Sequence, residues 1–233
     1  MTTMTTTTAT VAERARASRG ASAAAIYALA ARVIRARHGG GGTLLDVGCG
    51  AGALWEAVGG RGLFDRYLGA DVVGYDGFPP SGTFLEVDLE AGGVPLPDGA
   101  ADVVAAVETI EHLENPRAFA RELTRLARPG GLVVVTTPNQ LSLLSKLTLV
   151  LKNQFNAFQE APGLYPAHRS ALLEVDLVRI ARECGLLDPE IRYTDSGRIP
   201  FTPRHWPRPL RGRAFSDNVL LAASRQQAAG SRQ

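Results

Sequence analysis

Short apolar runs alternate with segments in which apolar residues recur at helical spacing, from position 43 to position 222. The runs are almost continuously apolar, which is typical of strands that are buried on both faces of a sheet. The predicted strands are residues 43–47, 67–70, 83–87, 102–107, 132–136, 190–194 and 218–222. This alternation of strands and helices predicts an α/β fold with a mostly parallel sheet.

Helical spacing and stop signals predict helices over residues 52–58, 118–128 and 173–184. Pro129-Gly130-Gly131 follows the second of them and Gly185 the third, as residues that end helices do. The link at 72–82 contains Pro79, Pro80 and three glycines, so we expect no full crossover helix there.

Outside this region, the composition predicts tails and one further helix. The threonine-rich residues 1–10 and the polar residues 224–233 offer little apolar surface, and we expect disorder in both. Residues 11–41 form a predicted N-terminal helical region, because Ile26, Leu29, Val33 and Ile34 recur at helical spacing. The Ala- and Arg-rich composition of this region also suits an organellar transit peptide.

The charge and cysteine content narrow the class of protein. The formal net charge of +2 disfavours a nucleic-acid partner, because such domains usually carry a concentrated basic field. Two cysteines do not make a disulfide framework, and no apolar run reaches the length of a membrane span. We therefore expect one cytoplasmic α/β domain.

Candidate chemistry begins at the first strand-to-helix turn, LLDVGCGAG. Gly48, Gly50 and Gly52 allow a sharp turn with close approach of the backbone to a ligand, and the following helix presents free N–H groups. The loop therefore predicts a nucleotide-like cofactor. With Ala53 it also satisfies the pattern of nicotinamide and flavin enzymes, so an NAD-dependent oxidoreductase remains a rival.

Taken together, LLDVGCGAG, YLGADVV, FLEVDLE, VETIEHLENP and RPGGLVVVTTPN resemble class I S-adenosylmethionine-dependent methyltransferases. Within that class the chain looks most similar to the subgroup of ubiquinone-pathway O-methyltransferases. The resemblance covers residues 42–223. It implies a Rossmann-like, seven-stranded, mostly parallel sheet with helices on both faces and an antiparallel last strand.

Acidic residues at strand ends add candidate cofactor contacts. Asp71 closes the second strand, where a carboxylate can accept hydrogen bonds from both ribose hydroxyls. The resemblance implies that Asp88 and the Leu89 backbone lie at the adenine ring, and that Asp46 organises the methionine end. Alternatives are a cap or turn for Asp71 and Asp88, and an anchor for loop amides for Asp46. The cofactor-binding set is Asp46, Gly48, Cys49, Gly50, Gly52, Asp71, Asp88, Leu89 and Glu108.

The segment VETIEHLENP holds the candidate catalytic residues. If it is helical from Glu108, then Glu108, Glu111 and His112 share one face and converge on the transferred methyl group. The methyl acceptor must lose a proton, and histidine, with an ordinary pKa of about 6.5, is a natural base that a carboxylate can orient. Alternatively, Glu111 and His112 are a solvated start to the next helix, with Pro116 at its first turn.

The same residues could instead hold a divalent metal. Glu108, Glu111 and His112, joined by His168, would make a site of two carboxylates and two imidazoles. This set resembles the small-RNA 2′-O-methyltransferases, but the aromatic-acidic segment that follows the last histidine in that family is absent from HRSALLEVDL. RNA 2′-O-methylation with a metal remains an alternative function, as does a cofactor-binding partner protein without catalysis.

An insertion at 139–170 is the predicted lid and selects the substrate. Leu143, Leu144, Leu147, Leu151 and Phe155 recur at helical spacing, so we expect one face to pack on the domain. Contact with a membrane surface is the second interpretation. Both interpretations of the lid favour an apolar acceptor. The predicted substrate residues are Leu143, Leu147 and His168.

A basic segment near the C-terminal end, RIPFTPRHWPRPLRGR, contains five arginines and no acidic residue. It could bind a phosphate- or carboxylate-bearing acceptor, an acidic partner or RNA, or it could be a solvated, proline-stiffened loop. Trp206 could stack on a ligand or anchor the loop. The arginines are Arg198, Arg204, Arg208, Arg211 and Arg213. The sequence as a whole predicts methylation of a small molecule, with a hydroxyl as the favoured acceptor.

Overall fold

The computed structural model describes residues 20, 22–161, 164, 167–207 and 209–227. The tail expected at 1–10 lies outside the described residues, as do residues 11–19 and 21 of the helical region expected at 11–41 and residues 228–233. The second tail was expected to begin at 224, but the last strand continues to Arg225.

Seven strands form one sheet in the order β3-β2-β1-β4-β5-β7-β6. Strands β1 to β5 pair in parallel, whereas β7 runs antiparallel to both of its neighbours, β5 and β6. The predicted fold class, with a reversed last strand, is confirmed. The strands are β1 Thr43–Val47, β2 Arg66–Asp71, β3 Thr83–Glu86, β4 Ala101–Ala106, β5 Ala127–Pro138, β6 Leu186–Tyr193 and β7 Asn218–Arg225.

Helices cover both faces of the sheet. Within one strand, Leu44 and Leu45 belong to different hydrophobic clusters, because successive side chains point to opposite faces. Helices α1 and α2 contribute to the cluster with Leu44, and α3 and α5 to the cluster with Leu45. The helices are α1 Ala24–Arg37, α2 Ala53–Ala57, α3 Pro116–Leu126, α4 Leu143–Lys152 and α5 Glu174–Glu183, with 3-10 segments at Gly60–Gly62, Ile110–His112 and Asn156–Phe158.

Helix α3 begins at Pro116 and ends at Leu126, so both ends lie two residues before those of the predicted helix at 118–128. The side chain of Asn115 accepts the N–H of Ala118, and Pro116 occupies the first turn. The helix ends at Leu126 and Ala127 already pairs with Ala101 of β4. The prediction that Pro129-Gly130-Gly131 stops this helix is therefore wrong, since these residues belong to β5.

The lid helix α4 is apolar yet largely uncovered. Its only buried side chain is Ser145, whereas Leu147, Val150 and Leu151 are 39%, 79% and 65% exposed. The expectation that Leu147 and Leu151 pack on the domain is wrong. In the described part of the chain, no helix is long and apolar enough to cross a membrane.

Candidate active site

A cavity of about 260 Å³ lies at the carboxyl ends of β1, β2 and β4. Parallel strands bring their carboxyl ends to one edge of a sheet, which is where α/β proteins bind ligands. The start of α1, the loops after β1, β2, β3 and β4 and the end of the lid insertion supply its walls. Lining residues include Tyr27, Gly48, Asp71, Tyr75, Leu89, Glu90, Glu108, Thr109, His112, Leu164 and His168.

The glycine loop is built so closely that side chains would not fit. Gly48 has φ 78°, and a Cβ atom there would lie 2.2 Å from Thr109 Oγ1. Gly50 has φ 50°, and its Cβ would lie 2.0 Å from the carbonyl oxygen of Gly20. Gly48 lines the cavity directly. Cys49 is buried, its thiol lies 3.6 Å from the Gly50 carbonyl oxygen, and burial raises its pKa, so it is an inert part of the turn.

Asp71 combines a structural contact with a place in the cavity wall. Its Oδ2 accepts the N–H of Gly50 at 2.9 Å, and its Oδ1 accepts the N–H of Val72 at 2.7 Å. Burial raises the pKa of Asp71, and these backbone donors partly offset the rise. The carboxylate therefore holds the glycine loop against the end of β2 while it faces the space where a ligand would lie.

Asp88 and Leu89 are the predicted adenine contacts, and of the two only Leu89 lines the cavity. The Oδ1 of Asp88 accepts the N–H groups of Glu90 and Ala91, which is the turn-forming alternative that the sequence left open. Leu89 and Glu90 line the cavity, whereas Asp88 is not among its lining residues in the described part of the chain.

Asp46 lies beneath the glycine loop and does not line the cavity. The hydroxyl of Tyr67 donates to Asp46 Oδ2 at 3.1 Å, while Oδ1 has no hydrogen-bond partner among the described residues. Burial raises the pKa of Asp46 to about 7, although the Tyr67 hydrogen bond opposes the rise. Any contribution to cofactor binding would be indirect, through the position of the loop.

Glu108 does not continue into a helix. It adopts φ 50°, and the following turn is the 3-10 segment Ile110–His112, so the predicted helical face shared by Glu108, Glu111 and His112 is wrong. This backbone conformation of Glu108 goes with hydrogen bonds to Thr136, which is distant in the sequence. The Glu108 N–H donates to Thr136 Oγ1 at 2.9 Å, and the Thr136 hydroxyl donates back to Glu108 Oε1 at 2.8 Å.

A second contact completes the hold on the Glu108 carboxylate. Asn218 Nδ2 donates to Glu108 Oε2 at 2.8 Å. Burial raises the pKa of Glu108, and the hydrogen bonds from Thr136 and Asn218 oppose this rise. The side chain is thereby fixed in the wall of the cavity.

Glu111, His112 and His168 come together beside the cavity. One potential ligand atom from each lies within 4.8 Å of the others, whereas Glu108 does not belong to this group. His112 Nδ1 donates to the Ala167 carbonyl and His168 Nδ1 to the Ala157 carbonyl, each at 2.9 Å. Because a carbonyl only accepts, both rings carry their proton on Nδ1 and direct Nε2 elsewhere.

The carboxyl group of Glu111 is the most deeply buried of the three. Its side chain is fully enclosed, and neither oxygen makes a well-formed hydrogen bond with the described residues. Burial, followed by the charge of Glu108, raises the pKa of Glu111 well above its ordinary value. Burial and the neighbouring His112 lower the pKa of His168 to about 4, so that ring is neutral near pH 7.

The predicted substrate residues separate in space. His168 lines the cavity, but Leu143 and Leu147 are not among its lining residues in the described ranges. The lid reaches the cavity through Leu164 and His168 instead. A salt bridge from Arg169 to Glu90, at 3.0 Å, joins the end of the lid to the loop after β3.

Sequence reasoning missed Tyr27, Tyr75, Thr136 and Asn218 as site residues. Tyr27 belongs to α1 and Tyr75 to the irregular link after β2, and neither stands in a pattern that marks a ligand contact. The motif TTPN contains Thr136 and could have indicated it, because its position at the end of a strand places it at the ligand edge.

Comparison with known proteins agrees with this geometry. A family model described as a methyltransferase domain matches residues 20–187. The chain belongs to this family. Its members' cofactor, S-adenosylmethionine, is also the cofactor of this methyltransferase, as the resemblance implied.

Individual relatives are similar to this methyltransferase over part of their length. A ubiquinone biosynthesis O-methyltransferase from Cereibacter sphaeroides is 29% identical over 194 residues, which cover 78% of this chain and 73% of the relative. A 2-methyl-6-phytyl-1,4-hydroquinone methyltransferase from Synechocystis is 34% identical over 111 residues, or 43% of this chain and 33% of the relative.

Solved structures share the fold at low sequence identity. The 1,6-didemethyltoxoflavin-N1-methyltransferase of Burkholderia thailandensis, solved with its substrate and S-adenosylhomocysteine, has a TM-score of 0.54 and 16% identity. The match covers 88% of this chain and 79% of that one. A methyltransferase of Thermotoga maritima has a TM-score of 0.62 and 15% identity, with 91% of each chain covered.

The buried carboxyl group of Asp46 predicts a pH-dependent stability. Its pKa is about 7 in the folded chain against an ordinary value of 3.8, so folding favours the protonated form. Its contribution is fully present below about pH 4 and is lost as the pH rises to about 7. We expect Asp46→Asn to gain stability relative to the native chain between pH 5 and pH 8, measured by urea unfolding.

The exposed Asp76→Asn variant is the control and should follow the native chain at both pH values. A stability difference between Asp46→Asn and the native chain that is the same at pH 5 and pH 8 would contradict the prediction.

Proposed function

We propose that this methyltransferase transfers a methyl group to a hydroxyl of an apolar small molecule. The observation that carries the proposal is that His112 lines the same cavity as Asp71 and Gly48, so that a proton acceptor and the cofactor contacts face one space. Apolar side chains make up much of the remaining wall, among them Ile26, Val107, Leu113 and Leu164. The names of the quinone-related relatives support the same class of acceptor.

The residues present fit the cofactor. The turn at Gly48 leaves open backbone where a Cβ would collide with Thr109, and Asp71 presents a carboxylate that suits ribose hydroxyls. When bound, the cofactor supplies an electrophilic methyl group on a sulfonium. Leu89 and Glu90 would bind at the adenine end, and Glu108 carries a carboxylate suited to a cationic group.

His112 is the proposed proton acceptor. Its Nδ1 proton is committed to the Ala167 carbonyl, so Nε2 is the ring atom with a lone pair. With the cofactor supplying the methyl group to the acceptor oxygen, Nε2 of His112 would take up the proton that the hydroxyl gives up. The cavity walls orient the acceptor, and such positioning is worth up to roughly 7–11 kcal/mol.

A divalent metal is the competing way to activate the hydroxyl. Glu111, His112 and His168 fit such an ion because their ligand atoms lie close together and both imidazoles are oriented by backbone carbonyls. A cation there would also neutralise the buried carboxylate of Glu111. Glu108 is engaged with Thr136 and Asn218, so the proposed ligand set has three members rather than the four that the sequence indicated.

The role of Asp71 is tested by calorimetry with S-adenosylmethionine and S-adenosylhomocysteine. We expect Asp71→Ala to weaken the binding of both ligands by about 1–3 kcal/mol, because the ribose hydroxyls lose a charged acceptor. The exposed Asp76→Ala variant serves as control and should bind both ligands like the native chain. Unchanged affinity in Asp71→Ala would assign this carboxylate to the glycine loop alone.

The choice between base and metal is tested with His112→Ala. If His112 is a base, the methylation rate should fall roughly 100–10,000-fold while the affinity for S-adenosylhomocysteine stays the same. EDTA should then leave the native enzyme active, and its pH–rate profile should contain a basic limb that the variant lacks. His205→Ala, which changes an exposed histidine, is the matched control.

The metal mechanism predicts different results in the same assays. EDTA should abolish activity until Mg²⁺ or Mn²⁺ is returned, and Glu111→Gln, His112→Ala and His168→Ala should each lower the metal content of the protein. Full activity of His112→Ala on a confirmed acceptor would contradict both mechanisms and leave catalysis to positioning.

We further propose that α4 delivers apolar acceptors from a membrane surface. Its exposed apolar side chains, Leu147, Leu149, Val150 and Leu151, are accompanied by Lys146 and Lys152 and by no acidic residue of the helix. This combination suits an interfacial helix at an anionic surface.

Flotation with anionic liposomes tests the proposal for α4. We expect Val150→Ser/Leu151→Ser to reduce vesicle binding, because both side chains are exposed and their apolar surface would enter the interface. Val175→Ser/Leu187→Ser makes the same kinds of substitution elsewhere, at side chains 45% and 46% exposed, and should float like the native chain. Leu143→Ser/Leu147→Ser should lower turnover more than cofactor affinity if α4 also orients the acceptor.

Equal flotation of Val150→Ser/Leu151→Ser and the native chain would contradict membrane contact. Equal losses of turnover and of cofactor affinity in Leu143→Ser/Leu147→Ser would make α4 part of the structural frame.

A further inference from the structure

A second cavity, of about 480 Å³, lies between the C-terminal half of α1 and strand β6. None of its lining residues lines the cavity with Asp71 and His112. Its walls contain four arginines, and one of them, Arg211, comes from the basic segment that the proposed function leaves unused. The other three are Arg32 and Arg37 of α1 and Arg192 of β6.

Positive charge exceeds negative charge around this cavity. Among the described residues, two carboxylates line it, and each is shared between two guanidinium groups. Asp195 pairs with Arg32 at 3.2 Å and with Arg211 at 3.6 Å. Glu190 pairs with Arg37 at 3.7 Å and with Arg192. Four cations against two anions leave an excess of two positive charges, which equals the formal net charge of the entire chain.

Arg37 is fixed at the floor of this cavity, whereas Arg192 and Arg211 form its exposed rim. Arg37 is anchored to β7, because its guanidinium donates to the Ala222 carbonyl at 3.1 Å and to Ser224 Oγ at 3.0 Å. Arg192 and Arg211, with side chains 60% and 67% exposed, each contact one carboxylate within the described residues. A guanidinium has five N–H donors, so both rim arginines retain donors for a ligand.

Geometry and energetics both favour an anion that is shared between these groups. Exposed ion pairs contribute about 0–1 kcal/mol, so the rim pairs rearrange at small cost. Guanidinium forks bind phosphate oxygens in bidentate fashion, with charge-assisted hydrogen bonds that are stronger than neutral ones. The lining also has an apolar part, with Leu29 and Val33 of α1 and Ile191 and Tyr193 of β6, which suits a carbon skeleton beside the charged group.

We infer that this cavity binds the phosphate group of a small phosphorylated molecule. The dianion lies between Arg192 and Arg211 at the rim, above Arg37, and the rest of the ligand packs toward Val33 and Tyr193. The site is separate from the proposed methyl-transfer site, and its occupation does not depend on the proposed function.

The test measures anion binding by calorimetry on the whole chain, with S-adenosylhomocysteine present in excess to fill the cofactor cavity. The probes are inorganic phosphate and pyrophosphate at a constant ionic strength of about 0.15 M, where screening acts over ~8 Å. We expect one site per chain. Arg192→Gln/Arg211→Gln should weaken pyrophosphate binding at least about tenfold, the loss expected for one charge-assisted hydrogen bond.

The matched control is Arg61→Gln/Arg121→Gln, which removes the same charge at two exposed arginines outside the cavity and should bind like the native chain. Thermal melting without anion checks folding, and if the double variant does not fold, each single substitution should show a smaller loss in the same direction. Equal weakening in both double variants, or no heat from either probe, would overturn the inference.

A vesicle arm distinguishes a lipid headgroup from a free phosphate compound. Vesicles are compared in the Val150→Ser/Leu151→Ser background, which removes contact through α4. Binding to vesicles that contain phosphatidate, without binding to pure phosphatidylcholine, would identify a lipid as the source of the phosphate if Arg192→Gln/Arg211→Gln abolishes it there. Binding of pyrophosphate without this preference would identify a water-borne phosphate compound.

Discussion

Parallel pairing of β1 with its two neighbours is the constraint on which the site depends. Because β2, β1 and β4 run in the same direction, the residues at their carboxyl ends reach one edge of the sheet together. The register aligns Val47 with Ala70, so the glycine loop and Asp71 leave the sheet side by side. The hydrogen bond from Gly50 to Asp71 then closes the first loop against the second strand.

Buried carboxyl groups give this edge its chemical character. Asp46 and Glu111 are withdrawn from water and Glu108 is partly buried in the cavity wall, and burial raises the pKa of each. Such groups are costly without partners, so a fold keeps them where a cation or a hydrogen-bond network compensates for the lost hydration. Thr136 and Asn218 provide that network for Glu108, and they also explain a backbone conformation that a glutamate rarely adopts.

The sequence predicted the sheet, the glycine loop and the sites of Asp71, Leu89, His112 and His168 in the cavity wall, because local patterns specify strand ends and tight turns. It did not predict the conformation of Glu108, which depends on Thr136 28 residues away. It offered the burial of Asp46 and the exposure of α4 only as alternatives, and it did not reveal the contact of Asp46 with Tyr67. Those features arise from tertiary packing, which periodicity does not encode.

Helix α1 lines both of the cavities described above. Ile26 and Tyr27 face the cofactor side, whereas Arg32 and Arg37 face the arginine-lined side. With 14 residues at 1.5 Å each, it is a rod about 21 Å long. If an occupant of one cavity displaces α1, lining residues of the other cavity move with it, and thermodynamic linkage would make any resulting change of affinity reciprocal.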